Sequence, residues 1–279
     1  MRTLIAGCGF VGRALAAQLV HDRHDVFGLR RHPTDLPEGV VPVAADLAEG
    51  RGIEAIPGDL DACVTAISPD GRSEAAYEAA YVRAVRNLQS LLEVQSPNLQ
   101  RWVFLSSTAV YGDESGAWVD ESTPTNPASF TGRVVLEGEG IVRGAAVPHR
   151  VVLRLGGIYG PGRTRLVDRV RRGEATCPPE PTWTNRIHRD DAAGAIRHLL
   201  ALDDPEEVYL GVDTDPAERC EVLTWLAERL GAPAPRPGPA SRRGNKRVSS
   251  ARLQASGYRF RYPTFREGYG AMLDATPDA

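Results

Sequence analysis

Gly7-Cys8-Gly9-Phe10-Val11-Gly12 sets three glycines at the spacing GxGxxG, between a short apolar run and an amphipathic helical pattern. In that setting the first glycine permits a tight turn and the second lets backbone approach a pyrophosphate. The third lets the helix pack closely on the strand. The N–H groups and dipole at the helix start would then face an anionic ligand. Gly7, Gly9, Phe10, Val11 and Gly12 are therefore read as a dinucleotide site, with a purely structural glycine turn as the alternative. Gly28-Leu29-Arg30-Arg31 ends the second apolar run with two arginines and no carboxylate. An Asp or Glu there would accept from a ribose 2′-hydroxyl, whereas guanidinium groups suit a 2′-phosphate. Arg30 and Arg31 thus point to NADP (NADPH), although two solvated arginines would look the same in sequence.

Other candidates carry proton chemistry or charge. Ser107 and Thr108 follow the apolar run Trp102–Ser106. They would stand at the carboxyl edge of a strand, where open parallel sheets face their ligands. They fit either a reacting hydroxyl or a cap on backbone. Tyr111 places a phenol nearby. Arg133 could hold a carboxylate or phosphate but is a poor proton donor. Tyr159 and Arg163 are candidate substrate contacts. His188 titrates near neutrality and precedes Asp190 and Asp191. It fits a substrate contact, or an anchor for the loop before a helix that one of the two aspartates would cap. Trp102, Trp118, Trp183 and Trp225 are scattered and read as packing. Cys8, Cys63, Cys177 and Cys220 show no CxxC or Cys/His spacing, so neither a disulfide framework nor a metal site is expected.

The elements that must position these residues alternate through the first half. Strands are predicted over Thr3–Ala6, Asp25–Leu29, Val40–Val43, Ala62–Ile67 and Trp102–Ser106. Helical patterns lie between them, the clearest over Val11–Val20 and Ser73–Val94. Such alternation implies βαβ crossovers and a doubly wound parallel sheet, an α/β Rossmann fold. A helix over Gly132–Arg143 and a strand over Arg150–Leu155 continue the series. The helix Asp190–Leu202 and the strand Val208–Val212 are expected to return to it. Cys177-Pro178-Pro179-Glu180-Pro181 must be a loop. Ala217–Leu230 reads as a helix stopped by Gly231, followed by the proline-rich connector Ala232–Pro239. The expected domains are residues 1–155, with 186–212 returning, and a smaller substrate lobe from 156–185 and 213–279 that ends the chain.

Composition narrows the partners. A formal net charge of −3 gives no electrostatic reason to expect nucleic acid. The basic clusters Arg30-Arg31, Arg169-Arg171-Arg172 and Arg242-Arg243 are individually more typical of solvated surface. No run approaches the roughly 18–20 apolar residues that span a bilayer, and Thr3–Ala6 is too short for a signal peptide. A cytoplasmic protein with a small-molecule substrate is the default expectation.

Four further segments carry a family resemblance. They are Asp46-Leu47, Ser106-Ser107-Thr108-Ala109-Val110-Tyr111-Gly112, Arg154-Leu155-Gly156-Gly157-Ile158-Tyr159-Gly160-Pro161-Gly162, and Ile187-His188-Arg189-Asp190-Asp191. In order and spacing, to about residue 200, they resemble the extended short-chain dehydrogenase/reductases of the NAD-dependent epimerase/dehydratase group. The resemblance implies that Asp46 and Leu47 lie near the adenine and that Ala66 faces the cofactor. It also implies that Ser107 or Thr108 meets the substrate and that Tyr111 serves the framework, with a replacement acid as its other reading. The family's catalytic Tyr-x-x-x-Lys falls on Thr131 and Val135, and the only lysine in the chain is Lys246. The sequence is therefore similar to the atypical branch that lacks this pair. Thr131-Gly132-Arg133, Gly244–Ser249, Gly257-Tyr258 and Tyr262-Pro263 carry that likeness. Thr131 is expected to cap the helix at Gly132. Relatives of this kind dimerise through the helices here predicted over Ser73–Val94 and Gly132–Arg143. The activity implied is an NADP-dependent oxidoreductase or epimerase with another proton donor, acting on a small carbonyl or sugar-nucleotide-like substrate. A redox-neutral lyase or isomerase, and a non-catalytic NADP-binding protein, remain as alternatives.

Overall fold

The structure, a computed structural model, describes residues 1–112, 115–239 and 245–275. Arg242, Arg243 and Gly244 lie outside the described residues. Two compact units form: 1–110 with 126–154 and 192–209, and 111–112 and 115–125 with 155–191, 210–239 and 245–275. The sequence reading set 111–125 and 186–191 with the Rossmann domain. Strand pairing takes them elsewhere, since Trp118–Val119 pairs with Arg247–Val248 and Arg186–His188 pairs with Gly157–Tyr159.

The first unit is built on a seven-stranded sheet. It contains β1 (Arg2–Ala6), β2 (Asp25–Arg30), β3 (Val40–Ala44), β4 (Ala62–Thr65) and β5 (Arg101–Ser107). The order runs β3-β2-β1-β4-β5, then the strands His149–Leu155 and Val208–Gly211. β1 lies parallel between β2 and β4, with Ala6 opposite both Leu29 and Thr65. β4 is buried along its whole length and β1 nearly so, as expected of parallel strands covered on both faces. Helix α1 (Phe10–His21) turns Val11, Leu15, Ala16 and Leu19 to the interior, one stripe at helical spacing.

The helix expected over Ser73–Val94 is continuous but not uniform. It comprises α2 (Glu74–Glu78), a π-helical turn at Ala79–Arg83, and α3 (Ala84–Gln95). Ser73 caps it by accepting from the Ala76 N–H at 3.2 Å. Helix α4 (Phe130–Arg143) starts two residues before the predicted Gly132. Its cap is Ser129, which accepts from the Gly132 N–H at 3.3 Å, and not the expected Thr131. A Cβ at Gly138 would lie 2.5 Å from the Tyr81 carbonyl oxygen, so α4 packs closely on the π-helical turn.

The second unit holds the helices Arg165–Arg171, Arg219–Leu230, Ala251–Ala255 and Phe265–Asp274 with short strand pairs. Its core includes Val167, Val170, Leu223, Leu226, Phe265 and Met272. The predicted helix Ala217–Leu230 begins at Arg219, because Ala217–Glu218 pairs antiparallel with Trp183–Thr184. Gly231 ends it in the left-handed region at φ 60°, as glycine at that position should. Cys177 and Cys220 come together as a disulfide with Cα atoms 5.3 Å apart, where the cysteine spacing gave no reason to expect one. Folding joins residues 43 apart in sequence, a proximity that motif spacing does not record.

Candidate functional site

At the carboxyl ends of β1, β2 and β4, within the first unit, lies a cavity of about 370 Å³. Its walls are the glycine loop, the ends of β2 and β3, the segment after β4 and one face of the helix that follows. It brings together the sequence candidates Gly7, Gly9, Arg30, Arg31, Asp46, Leu47 and Ala66. Phe10, Val11 and Gly12 stand behind it in the first turn of α1, with Val11 buried.

Backbone geometry shows why glycines occupy the loop. Gly7 sits at φ 91°, and a Cβ there would lie 2.6 Å from backbone atoms of Ala66 and Ile67. At Gly12 it would lie 2.8 Å from the Gly7 carbonyl oxygen. At Gly9 the nearest atom would be that same oxygen at 3.9 Å, so Gly9 leaves open space on the cavity side. The loop is held in place by Gly7 and Cys8, whose N–H groups both donate to Leu29 O. No side chain caps α1 at Gly9, and no acidic residue occupies its first turn. The positive end of the helix is thus left unneutralised beside the cavity. This cradle fits the pyrophosphate of a dinucleotide.

Charge on the rim is partly committed. Arg31 donates both Nη atoms to Asp70, at 2.6 and 2.5 Å. Arg30 lines the cavity and has no ion-pair partner among the described residues. Asp46 accepts from Arg51 at 3.1 Å and from the Glu49 N–H at 3.2 Å. Leu47 is buried, and its carbonyl accepts from Asn87 at 2.7 Å. Ala76, Ala79, Ala80 and Ala84 form the helical wall, where small side chains keep the cavity open.

Further along the same unit, Ser107 and Thr108 leave the end of β5 half-buried. Ser107 Oγ accepts from the Ala109 N–H at 3.2 Å, while the Thr108 hydroxyl makes no protein hydrogen bond among the described residues. The first turn of α4 packs directly against this corner. A Cβ at Gly132 would lie 2.2 Å from the Ala109 carbonyl oxygen. Thr131 Oγ1 is 2.7 Å from Ser129 Oγ, and Arg133 is exposed one residue beyond Gly132. Val135, at the position the family gives to lysine, is buried. Beneath this corner Glu139 accepts from Arg154 Nε at 2.9 Å, Arg154 Nη2 at 2.7 Å and Ser106 Oγ at 2.5 Å. That network locks α4 to the sheet below the hydroxyls.

The remaining candidates lie in the second unit. Tyr111 is buried and donates its hydroxyl to Asp120 O at 3.0 Å, so its phenol serves the framework. His188 is also buried, packed between Tyr159 and Tyr262. Its Nδ1 accepts from the Asp190 N–H at 3.2 Å. Burial brings its pKa down to about 4, so the ring is neutral at pH 7. Tyr159 is buried and stacks on Tyr269 with centroids 4.3 Å apart, whereas Arg163 is exposed. Asp191, one of the two aspartates offered as a helix cap, instead accepts from the Tyr258 hydroxyl and the N–H groups of Arg261 and Tyr262. It ties the 258–262 segment to the start of the helix Arg189–Ala201.

Sequence reasoning missed Asp70 and the alanine wall. Alanines at 76, 80 and 84 recur at four-residue spacing, a legible small-residue face. Nothing local marked Asp70. Among the described residues no group of three or more His, Cys, Asp or Glu could hold a metal ion, and no helix is long and apolar enough to cross a membrane.

Known proteins share this architecture. The solved structure of an epimerase/dehydratase-type protein from Methylobacillus flagellatus superposes with a TM-score of 0.82 at 38% identity, covering 98% of each chain. Protein YeeZ of Escherichia coli (strain K12) is 32% identical over 213 residues, 74% of this chain and 75% of that one. The 3-diazoavenalumate denitrifying reductase of Streptomyces sp is 29% identical over 262 residues, 86% and 85% of the two chains. Residues 3–211 match the NAD dependent epimerase/dehydratase family, and this chain belongs to it.

Proposed function

We propose that the chain is an NADP(H)-dependent oxidoreductase or epimerase-like enzyme acting on a small carbonyl or sugar-nucleotide-like compound. The observation that carries this reading is the cleft itself: an uncapped helix start and an open Gly9 facing a cavity with Arg30 and Arg31 on its rim. Family membership and a reductase among the relatives support the class of chemistry. A bound nicotinamide supplies or accepts the hydride. The chain supplies the rest. Gly7, Gly9 and Gly12 shape the pyrophosphate cradle, and Arg30 meets a 2′-phosphate. Thr108 and Ser107 place hydroxyls where the family orients its substrate oxygen, and Arg133 offers a fixed positive charge to an anionic group. Thr108 is the stronger proton-handling candidate, since its hydroxyl is uncommitted and the Tyr111 phenol is not.

Buried Val135 supports a second reading, a redox-neutral lyase or isomerase, because no ammonium stands where the family depresses a tyrosine pKa. One experiment separates the cases. Purified protein is titrated with NADPH and NADH by fluorescence and then assayed on carbonyl substrates, alongside Gly9→Ala and Thr108→Ala. NADPH preference is expected, weakened tenfold or more in Gly9→Ala with its melting temperature kept. Thr108→Ala should lose turnover and keep binding. Substrate conversion without nicotinamide oxidation would install the redox-neutral reading. Tight binding with no turnover on any substrate would remove the enzymatic half of the proposal.

A further inference from the structure

We infer that Asp70 sets how strongly the cleft prefers a 2′-phosphate, by competing with that phosphate for Arg31. The inference rests on the reading of the cleft as a nicotinamide dinucleotide site. Arg31 stands one residue past β2, and Asp70 lies five residues past β4. Both strands pair with β1, so the two rims are two strand spacings apart, about 10 Å. The glycine loop leaves β1 between them. The bidentate pair at 2.6 and 2.5 Å therefore ties the β2 rim to the β4 rim, and both residues line the cavity. Arg31 also lines a neighbouring cavity of about 330 Å³, together with His32, Asp46 and Arg51, and so stands where the two meet.

The pair is built to exchange. Its side chains are 53% and 65% exposed, so it adds little to folding stability and can open at small cost. A guanidinium fork fits a carboxylate or a phosphate equally well in shape, and a phosphate carries more charge. One fork cannot serve both acceptors. While Asp70 holds Arg31, the 2′-phosphate finds only Arg30 uncommitted, and the Asp70 carboxylate stands near the incoming anion. A cofactor without the 2′-phosphate meets no such competition. Asp70 thus narrows the gap between the two nicotinamide dinucleotides, although the two arginines alone would widen it.

The test is a fluorescence titration with NADPH and NADH, checked by displacement with 2′,5′-ADP and 5′-AMP, which carry no nicotinamide. Asp70→Asn keeps the size of the side chain and removes its charge. It is expected to tighten NADPH and 2′,5′-ADP about tenfold while changing NADH and 5′-AMP less than twofold. In an Arg31→Ala background the same substitution should change the NADPH/NADH ratio less than threefold. Melting temperatures within a degree or two of the parent confirm that each variant is folded. Equal shifts for both cofactors, no shift, or an undiminished gain without Arg31 would each overturn the competition and leave the cofactor reading standing. Marked weakening of NADH in Asp70→Asn would also overturn it, since Asp70 would then be accepting from the cofactor. If the unaltered protein binds no dinucleotide, the cofactor reading falls and takes this inference with it.

Discussion

Two buried polar clusters, one in each unit, lie among candidate-site residues and use their hydrogen-bonding capacity in opposite ways. In the first, Glu139 is 1% exposed and Arg154 4% exposed, yet the carboxylate receives two guanidinium N–H bonds and the Ser106 hydroxyl. In the second, Asp213, Arg186 and Tyr159 are about as deeply buried. There both Asp213 carboxylate oxygens, Arg186 Nη1 and the Tyr159 hydroxyl have no protein hydrogen bond among the described residues. The Asp215 N–H beside the Asp213 carboxylate favours its charged form. Burial nonetheless pushes the Asp213 carboxyl up to about 8, against the opposing influence of the Arg186 charge. A matched cluster fixes geometry: it holds α4 and the end of β5 in register under Ser107 and Thr108. An unmatched cluster favours neutral forms and stores polar capacity inside the second unit. Removing a group from each should therefore have effects of opposite sign.

The largest effect is expected at the matched cluster. Arg154→Met leaves the Glu139 carboxylate buried with Ser106 alone, and breaking such a pair from one side typically costs about 3–5 kcal/mol. Chemical denaturation should show that loss. Arg154→Met combined with Glu139→Leu should recover most of it, because no uncompensated charge remains. A loss under about 1 kcal/mol for the single variant would mean that the network does not hold the corner.

The contrast also explains what was legible in the sequence. The glycine loop, the arginines after β2 and the order of strands are local signals, written in consecutive residues whose spacing matches one backbone geometry. Each appears on the cleft or in the sheet where the sequence places it. Capping was only half legible. Ser129 and Thr131 are two hydroxyls two residues apart, and the helix start decides between them. Non-local pairings were not legible. Arg31 meets Asp70 across 39 residues, Cys177 meets Cys220 across 43, and Asp191 holds Tyr262 across 71. No residue type or spacing selects those partners before the chain has folded. The same limit hid the partner of Tyr111: the resemblance implies a framework residue, but only folding shows that its phenol donates to Asp120 O.

A second prediction sharpens the comparison through pH. The folded-state pKa of Asp213, about 8, lies above the ordinary 3.8, so the native state keeps a proton that the unfolded chain has released. Stability contributed by this group is full below the unfolded value, falls as pH rises between about 4 and 8, and levels off beyond. His188 acts in the opposite sense. Its pKa near 4 lies below the ordinary 6.5, so stability rises with pH across that window. The difference between the parent and Asp213→Asn isolates the aspartate. Above pH 8 the variant should be the more stable, and the advantage should shrink as pH falls and vanish near pH 4. A pH-independent difference would show that Asp213 finds partners and belongs with the matched class.

The finest test compares two buried tyrosines of the second unit whose hydroxyls differ in their partners. Tyr258 donates to Asp191, with the carbonyl oxygen at 2.9 Å and Oδ1 at 3.0 Å. Among the described residues Tyr159 donates to no protein atom, and a Cβ at Gly268 would lie 1.8 Å from its oxygen, so the hydroxyl rests against bare backbone. Tyr258→Phe should cost about 1 kcal/mol, since it leaves a buried carboxylate short of a donor. Tyr159→Phe removes a polar atom that has no partner to lose, and it should stay within about 0.5 kcal/mol of the parent in thermal unfolding. If both substitutions cost the same, the Tyr159 hydroxyl is hydrogen-bonded in solution. The contrast between the clusters would then reduce to Asp213 and Arg186 alone.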